Sequence, residues 1–545
     1  MSTTTSSAEK LVRVNPRCWN NLSEKILTPE LLQLIGKLHL EMNQERKSLL
    51  ESRTSRQEKY DAGELPGFLD ENSVAASSSW KVAELPQDLL KRRVEITGPI
   101  NSAKMVINML TRNSDGYRAD AAMLDFEDSM MPSWENVMNG IDNLIQAAAG
   151  TLAFSQTKSD GSVKEYKVDP NDMPLLMVRV RGLHLGESNI TVEGEAISGG
   201  LLDLTMSVFH TAKTLMAQGK TPKYYIPKCE HYLEARWWNK LFTLLEEALE
   251  IPHGTLKATF LIETLPAAFQ MEEILYEYRD HAAGLNGGRW DKIFSDIKVL
   301  KMHNDRIMAD RATIDMQKPW MDNYVKRMIK ICHAHGAFAM GGMSAFTPGK
   351  TTELREEQTA KVSADKQHES NIGHDGCWVS HPYFIGYAMD AFKQDNQLGV
   401  LLEDFKKYPD LLPKGEGPRT LAGLRKNIRV GIAYMQGWQN GLGCVAWDNM
   451  MEDLATLEIS RAQVWQWMHH SVSLDDGQIV SADLVAKIFD EELDKINVEV
   501  KEFGSSNNSD PGDLLKSYRR AKETVSKIFM ETELRDFLES SSYLV

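Results

Sequence analysis

Short apolar runs alternate with longer amphipathic segments between residues 93 and 405, and this pattern limits the possible folds more than any other feature of the sequence. Such alternation is typical of strands that each lead into a helix in an α/β fold. Seven runs are predicted to be strands, one fewer than a closed eight-stranded barrel needs. They are Ala122–Phe126, Leu175–Val180, Tyr224–Pro227, Ala258–Ile262, Lys292–Ser295, Ala337–Met340 and Trp378–Ser380.

Polar side chains stand at the ends of several of these runs. Asp125 lies near the end of the first run, and Arg179 and Arg181 close the second. Glu263 directly follows the fourth run, and Asp291 lies in a Gly-rich loop. In a (β/α)₈ or TIM barrel, the C-terminal ends of the strands build the active site. The sequence also has no Gly-x-Gly-x-x-Gly after a strand, so a barrel is favoured over a dinucleotide-binding sheet.

The regions that flank this pattern look different. The N-terminal region is polar and periodic, which predicts a helical clasp, and the end of the chain carries long amphipathic runs. A polar stretch with a Ser-Asp-Gly turn, Thr157–Asn171, predicts a small hairpin. The expected parts are a clasp at 1–92, a barrel at 93–408 with a small β insertion near 150–200, a Pro/Gly-rich linker at 409–418, and a C-terminal helical domain at 419–545.

Charge and cysteine content exclude several classes of protein. The net charge of −15 argues against nucleic-acid or anionic-membrane partners. No stretch approaches the roughly 20 apolar residues that span a bilayer. Five scattered cysteines without CxxC spacing argue against a disulfide framework or a zinc ribbon and indicate a reducing compartment.

The two ends of the sequence bear on localisation. The polar start, MSTTTSSAEK, lacks the apolar run of a signal peptide. The last residues, Tyr543-Leu544-Val545, differ from a peroxisomal Ser-Lys-Leu signal. We therefore expect a cytoplasmic protein, with a peroxisome or glyoxysome as the alternative.

Two pairs of carboxylates are candidates for a metal site. Glu263 and Asp291 follow apolar runs, and Mg²⁺ prefers such hard oxygen ligands. The alternative is that each carboxylate binds an arginine or caps a helix. Asp125 and Glu127 would share one face of a strand, which calls for a nearby cation or a raised pKa. A strand end that frays into solvent is the alternative for this second pair.

Two further segments could take part in catalysis. Arg179 and Arg181 would share a strand face, where a guanidinium suits a carboxylate substrate or an oxyanion, or else a salt bridge. Asn449 and Glu452 have capping-box spacing, which would place Asp453 in the first turn of a helix. Asp453 could be a general base there, or simply a capping acid.

The pair His333 and His335 is a weaker candidate. The two side chains resemble a pair of metal ligands, but on a strand they would need a third ligand, which the sequence does not offer. A structural role is favoured.

Several segments, taken in order, resemble malate synthase of the shorter-chain form found in bacteria and glyoxysomes. The longest and most specific are Leu261–Glu273 (LIETLPAAFQMEE) and Gly284–Ser295 (GLNGGRWDKIFS). The others are Ile96–Pro99, Asp125–Ser129, Arg179–Gly182, Ile226–Lys228, Met340–Ala345, Gly373–Pro382, Gly443–Val445 and Met451–Arg461.

The resemblance implies a TIM barrel with an N-terminal clasp, a small β module and a C-terminal helical domain that closes the site. It also implies an Mg²⁺-dependent enzyme of the glyoxylate cycle. Such an enzyme condenses acetyl-CoA with glyoxylate and hydrolyses malyl-CoA to malate and CoA. Both partners are small molecules, and the oligomeric state is not predicted.

The resemblance also assigns roles to residues. Glu263 and Asp291 would bind Mg²⁺, and Arg179 would contact glyoxylate and stabilise the enolate. Asp453 would remove the acetyl α-proton. The remaining assignments are glyoxylate binding by Gly288, Arg289, Trp290 and Asp291, an outer shell of the metal site at Asp125 and Glu127, and CoA contact at Pro348.

Three segments depart from the pattern of the family. The family usually has Arg-Pro-Arg-Gly at the position of Arg179–Gly182, which reads Arg-Val-Arg-Gly in this chain. It usually has Gly-Met-Ala-Ala-Gln-Ile-Pro at the position of Gly342–Pro348, which reads Gly-Met-Ser-Ala-Phe-Thr-Pro. It usually has Pro and Asn in the segment where Ala446–Asp448 stands. These changes bear on CoA affinity rather than on the chemistry. Two alternatives stay open, a malyl-CoA or citramalyl-CoA lyase and an inactive acyl-CoA-binding scaffold.

Overall fold

Eight parallel strands close into a barrel in the computed structural model, which describes residues 11–158, 160–506 and 512–538. Each strand pairs with the next along the chain, and the last pairs with the first. This confirms the predicted α/β barrel. The strands are β1 Val94–Pro99, β2 Ala121–Asp125, β3 Leu175–Arg179, β4 Lys223–Ile226, β5 Lys257–Leu261, β6 Ala282–Asn286, β7 Phe338–Ser344 and β8 Gly376–Val379.

Six of the seven predicted strands overlap strands of this barrel, and the seventh was wrong. Lys292–Ser295 lies in a helix, Trp290–Val299, whose residues from Asp291 onward are buried. Such a helix lacks a solvent-exposed face, and a short apolar run within it, here Ile293-Phe294, cannot be told from a buried strand in sequence. The two strands that the sequence analysis missed are β1 and β6, which complete the eight.

Helices surround the barrel and extend it at both ends. Those before the barrel are α1 Asn21–Ile26, α2 Pro29–Asp61 and α3 Val74–Ser77. Those within its region are α4 Ala103–Leu110, α5 Trp134–Ala148, α6 Gly199–Ala217, α7 Tyr232–Ala248, α8 Leu265–Ala268, α9 Met271–Glu277, α10 Trp290–Val299, α11 Pro319–Ala334, α12 Thr352–Ile372 and α13 Ile385–Ala391. Those after it are α14 Leu421–Gln439, α15 Leu454–His469, α16 Ala482–Ser506 and α17 Gly512–Phe529. Short 3₁₀ turns occur at Pro16–Cys18, Gln87–Leu89, Asn304–Arg306, Arg311–Thr313 and Pro382–Phe384.

The long helix α2 lies across the outside of the barrel. Pro at its first position and the Thr28 side chain, which accepts a bond from the Leu31 N–H, define its start. Arg53 on its buried face donates two hydrogen bonds to Glu234, at 2.8 and 2.7 Å. The indole of Trp237 donates to the Met42 carbonyl at 2.9 Å. These contacts fasten α2 to α7.

Two of the small sheets outside the barrel are formed by residues that precede β4 in the chain. Ala153–Thr157 and Val163–Lys167 form an antiparallel hairpin at the position where the sequence predicts one. Val12–Val14 pairs antiparallel with Gly186–Val192, which pairs in turn with Glu195–Ser198. This second sheet joins the beginning of the described chain to the segment that follows β3.

The C-terminal helices pack on the barrel through α10 and α15. An apolar cluster joins Ile293 and Phe294 of α10 to Ile459 and Trp465 of α15. A two-stranded hairpin, Val445–Trp447 with Met450–Glu452, lies between α14 and α15. Because α10 directly follows β6, its packing fixes α15 relative to the C-terminal ends of the barrel strands.

The interior of the barrel contains a buried polar network. Arg92 donates to Glu95 at 2.7 Å, to Thr259 at 3.0 Å and to the Tyr225 hydroxyl at 2.8 Å. The indole of Trp378 donates to Glu95 at 3.0 Å. All the polar groups of this network therefore have partners, which offsets the cost of burying them.

Within the described ranges, no helix is both long enough and apolar enough to cross a membrane. The polar start at residues 1–10 and the last residues Tyr543–Val545 lie outside those ranges, so the expectations about them stay predictions.

Candidate active site

One cavity opens at the C-terminal ends of the barrel strands. Asp125 and Arg179 are the last residues of β2 and β3, and Glu263 lies two residues beyond β5. Asp291 in the first turn of α10 and Asp453 just before α15 also line it. Five of the predicted site residues, from four barrel elements and the C-terminal region, thus meet in one space.

Asp125 holds the side chain of Arg179 in a fixed orientation. Nε of Arg179 donates to Oδ1 of Asp125 at 2.7 Å, and Nη2 donates to Oδ2 at 2.6 Å. Its third nitrogen, Nη1, lies 3.3 Å from Oε2 of Glu127. Burial raises the pKa of Asp125, but the charge and hydrogen bonds of Arg179 bring that pKa below its ordinary value. A bidentate pair of this kind leaves Arg179 permanently charged and held rigidly.

Glu127 differs from what the sequence predicted. The strand ends at Asp125, so Glu127 lies in the following loop and does not share a strand face with Asp125. The two carboxylates instead lie on either side of the Arg179 guanidinium. Glu127 also accepts a hydrogen bond from the amine of Lys228 at 2.6 Å.

Lys228 is a site residue for which the sequence analysis predicted no role. Its amine donates to Glu127 and Asp128 at 2.6 Å each and lies 3.4 Å from Asp291. Its backbone N–H donates to Oε1 of Glu263 at 2.8 Å. A φ of 53° turns the chain sharply after β4 and places both donors in the site. The motif Ile226-Pro227-Lys228 was visible in the sequence, but this backbone turn was not.

Negative charge exceeds positive charge around this lysine. Burial, followed by the neighbouring Asp128, raises the pKa of Glu127 despite Lys228. Burial likewise raises the pKa of Glu263 and of Asp291, although Lys228 opposes it. Within the described part of the chain, Oδ1 of Asp291 makes no hydrogen bond. Clustered carboxylates with raised pKa values and an oxygen that makes no hydrogen bond fit a divalent cation with a preference for oxygen, such as Mg²⁺.

Gly288 keeps open the space beside Glu263. A Cβ at this position would lie 3.1 Å from Cβ and 3.3 Å from Oε2 of Glu263. The loop then enters α10 through Arg289, which makes no side-chain cap bond to the described residues. Arg289 lies over the ring of Trp290, with 4.5 Å between Cζ and the ring centroid. The first N–H groups of a helix lack partners within it and attract anions, so this segment suits a small carboxylate.

Asp453 enters the cavity from the C-terminal region. It is the N-cap residue of α15, but its side chain makes no capping hydrogen bond among the described residues. Burial, followed by the Asp128 carboxylate, raises the pKa of Asp453 to about 7, against the opposing effect of Arg179 and Lys228. A carboxylate with a pKa near neutrality suits a general base better than a helix cap.

The predicted capping box beside Asp453 was wrong. Met450–Glu452 is a short strand, and Asn449 adopts a left-handed backbone with a φ of 64°. The helix therefore begins at Leu454, after the hairpin rather than within it. Hydrogen bonds from Met451 N–H to the Ala345 carbonyl, at 2.7 Å, and from Leu454 N–H to the Asp128 carbonyl, at 3.2 Å, dock this segment on the barrel.

Cys444 lies in the wall of the same cavity, and the sequence analysis gave it no role. Burial, together with Asp453 and Asp125, raises the pKa of its thiol to about 12. Such a pKa keeps the thiol protonated near neutral pH, which argues against a nucleophilic role. Its neighbour Gly443 packs tightly on the barrel, because a Cβ there would lie 2.3 Å from the backbone of Met130.

Other candidates from the sequence do not join this cavity. Arg181 binds Asp203 and Glu187 in a separate buried network. Pro348 lines a neighbouring groove together with Lys350 and Arg355.

The two candidate histidines lie at the C-terminal end of α11, so the position on a strand that was considered for them was wrong. His333 contacts Asp375 at 2.9 Å, and His335 contacts Glu272 at 2.8 Å. Both pairs are buried, which agrees with the favoured structural role.

Comparison with known proteins identifies the family. Family models match residues 20–74 (malate synthase, N-terminal domain), 175–404 (malate synthase, TIM barrel domain) and 418–544 (malate synthase, C-terminal). The chain is 41% identical over 534 residues to malate synthase A of Escherichia coli (strain K12), with 97% of each chain covered. The chain belongs to the malate synthase family. Its resemblance to malate synthase in sequence motifs is thus confirmed.

Other malate synthases are similar over most of their length. The malate synthase of Myxococcus xanthus is 46% identical over 88% of each chain. That of Arabidopsis thaliana is 40% identical over 96% of this chain and 93% of the relative. A solved citrate lyase beta subunit from M. tuberculosis covers 56% of this chain at 16% identity, but its TM-score of 0.34 is too low to inform the site.

Malate synthases are acyltransferases, so the chain is an enzyme of this class. The relatives that match over nearly their whole length are named as malate synthases. They therefore favour this activity over the lyase and the inactive scaffold that the sequence left open.

Proposed function

We propose that this cavity is where acetyl-CoA condenses with glyoxylate, with Glu263 and Asp291 as the Mg²⁺ ligands and Asp453 as the general base. The observation that supports this most strongly is the position of Asp453. It comes from the region after the barrel, yet it lines the same cavity as Arg179, Glu263 and Asp291.

Glu263 and Asp291 would hold the cation with their carboxylate oxygens. Bound Mg²⁺ acts as a Lewis acid that polarises the carbonyl of glyoxylate. The Lys228 N–H fixes Glu263 through a 2.8 Å hydrogen bond, and the Lys228 amine lies close to Asp291. Lys228 would therefore orient both ligands and limit the negative charge around them.

Asp453 would remove a proton from the acetyl methyl group. Its raised pKa makes it a stronger base than an ordinary carboxylate, while it still loses its own proton near neutral pH. Arg179 would stabilise the negative charge that develops on the thioester oxygen, because its guanidinium is already held in place by Asp125. Asp125 and Glu127 would then hold Arg179 and Lys228 in place rather than contact the substrates.

The start of α10 would hold the carboxylate of glyoxylate. Gly288 gives the space, and the backbone of Arg289, Trp290 and Asp291 would supply donors and the positive end of a helix dipole. The groove at Pro348 would take part of CoA. Lys350 and Arg355 in this groove suit the phosphates of CoA.

We assign the clasp to residues 1–92, the barrel to 93–408, the linker to 409–418 and the closing domain to 419–545. All five cysteines are free, and four of them are buried, which supports a reducing compartment such as the cytoplasm.

Thiol release from acetyl-CoA tests the proposed function. We expect free CoA to appear only when both glyoxylate and Mg²⁺ are present, and EDTA to stop its release reversibly. A lyase would instead cleave malyl-CoA to acetyl-CoA and glyoxylate without free thiol. No CoA release under any of these conditions would contradict the proposal and favour a binding scaffold.

A further inference from the structure

A second cluster of ligating side chains lies at the opposite end of the barrel. Glu246 is near the end of α7, His253 is in the loop that leads to β5, and His281 directly precedes β6. These positions surround the N-terminal ends of β5 and β6, whereas the cavity described above opens at the C-terminal ends of the strands. The cluster is therefore separate from the active site.

The Glu246 carboxylate is fixed before any ligand binds. The Leu256 N–H donates to its Oε1 at 2.8 Å, and the Gly254 N–H donates to its Oε2 at 2.9 Å. The same Oε2 lies 3.0 Å from Nε2 of His281 and 3.3 Å from Nδ1 of His253. Two imidazole nitrogens therefore converge on Oε2 of Glu246. One lone pair of this oxygen already accepts the hydrogen bond from the Gly254 N–H, so one lone pair remains for them.

The surroundings of His281 restrict what can lie between these groups. Its Nδ1 is 2.7 Å from the side-chain oxygen of Asn239, and its Nε2 faces Glu246. A neutral imidazole carries one proton, so it cannot donate to both oxygens. If the proton lies on Nδ1, toward the Asn239 oxygen, Nε2 keeps a lone pair that a metal cation can bind. A histidine that binds a metal usually donates its other N–H to an oxygen, as the Asn239 contact would allow.

We propose that Glu246, His253 and His281 form a Zn²⁺ site that fastens the loop after α7 to the start of β6. Their ligand atoms lie within 4.8 Å of one another, close enough for small side-chain movements to bring them to a common ion. Two imidazole nitrogens and one carboxylate oxygen suit Zn²⁺ and do not suit Mg²⁺, which prefers oxygen. The side chain of His253 is 57% exposed, which leaves an entry path and a fourth position for water.

Zn²⁺ titration of the protein, first stripped of Zn²⁺ and other transition metals, tests this site. Excess Mg²⁺ is kept present, because it occupies an all-oxygen site but competes poorly for imidazole. We expect one equivalent of Zn²⁺ to bind by calorimetry and to raise the melting temperature. Co²⁺ in its place should give the visible absorption of a nitrogen-ligated ion.

His253→Ala is the decisive variant, because this side chain is exposed and its loss does not empty the core. We expect Zn²⁺ affinity to fall by more than about 100-fold, since even the loss of an outer partner of a metal ligand costs roughly 10–100-fold. His469→Ala removes an exposed histidine far along the chain and should bind Zn²⁺ like the wild type. Equal affinity of His253→Ala and wild type, or wild-type binding no tighter than the millimolar range, would show that Glu246 and His281 form only an ion pair. Neither result depends on the malate synthase reaction.

Discussion

Asp453 can be tested by a substitution that keeps its shape. Asp453→Asn cannot accept the acetyl proton, so we expect turnover to fall by about 10²–10⁴-fold. Because the Asp453 side chain makes no capping bond to the described residues, the start of α15 should not weaken. Turnover, Mg²⁺ affinity and melting temperature measured on this one variant separate the two roles. Near-normal turnover with a lower melting temperature would indicate a capping acid instead.

The raised pKa of Asp453 also predicts how turnover depends on pH. A base works only when it is deprotonated, so kcat should rise with pH and level off above the pKa of Asp453. That pKa is about 7 before a metal binds. The positive charge of Mg²⁺ lowers it, so the midpoint of the rise should lie below 7 at saturating Mg²⁺. A kcat that falls as pH rises through this range would rule out Asp453 as the base.

Gly288→Ala tests the space beside the metal ligands. The added Cβ would press on Cβ and Oε2 of Glu263, at 3.1 and 3.3 Å. We expect Mg²⁺ affinity to fall by about tenfold or more, because ligand orientation controls affinity. Gly67→Ala is the matched control, since the structure describes no atom within 4 Å of a Cβ there. Equal Mg²⁺ affinity of the two variants would show that Gly288 does not position Glu263.

The hairpin before α15 carries the base, and Gly443 is where it meets the barrel. A Cβ at Gly443 would lie 2.3 Å from the Met130 backbone, which cannot move aside as a flexible side chain can. We expect Gly443→Ala to lower kcat strongly while Mg²⁺ affinity changes little, because Glu263 and Asp291 lie on other elements. Gly399→Ala, which meets no described atom within 4 Å, is the control. A loss of Mg²⁺ affinity equal to the loss of kcat would mean that the substitution disturbs the whole barrel.

Helix α10 was misread from the sequence, and strands β1 and β6 were missed. Helix α10 is buried between the barrel and α15, and its short apolar run Ile293-Phe294 made the Lys292–Ser295 segment resemble a strand. Strand β6 consists mainly of small residues, Ala-Ala-Gly-Leu-Asn, without the β-branched side chains that mark strands. Strand β1 contains the charged residue Glu95, whose partners are Tyr225 and Trp378 on other strands as well as the nearby Arg92. The errors at α10 and β1 depend on burial by segments distant in sequence, whereas the error at β6 reflects its own composition.

The candidate site was easier to predict than its internal arrangement. Carboxylates and arginines after apolar runs indicated Glu263, Asp291 and Arg179, because strand ends meet in a barrel. Arg181 does not join Arg179 in the cavity, because it binds Asp203 and Glu187. These two partners lie further along the chain and could not be assigned from the sequence. The position of Lys228 depends on a left-handed turn, which the sequence did not reveal.

Mg²⁺ should stabilise the whole protein, and more so at higher pH. Burial raises the pKa values of Glu127, Glu263 and Asp291, so the folded state holds protons that the unfolded state releases. Stability without metal therefore falls as pH rises above the ordinary carboxyl pKa of about 4. A cation replaces those protons, and at 100 times its Kd it contributes about 2.7 kcal/mol.

Melting temperatures with and without Mg²⁺ at two pH values measure this effect. The increase due to Mg²⁺ should be larger at about pH 8 than at about pH 5.5. Glu263→Gln and Asp291→Asn should each remove most of the increase and most of the activity, because they delete charge rather than volume. A rise in melting temperature that is the same at both pH values would indicate that Mg²⁺ binds outside this cluster of carboxylates.

The pairing of Val12–Val14 with Gly186–Val192 sets an order of events during synthesis. Val12 pairs with Val192, so its partner does not exist until 180 further residues have been added. At about 5–20 residues per second, a ribosome needs roughly 9–36 s to add them. During that delay the edge of the early strand is unpaired and open to other chains or to chaperones. The Val12–Val14 segment is therefore fixed in place only after the third barrel strand has been made.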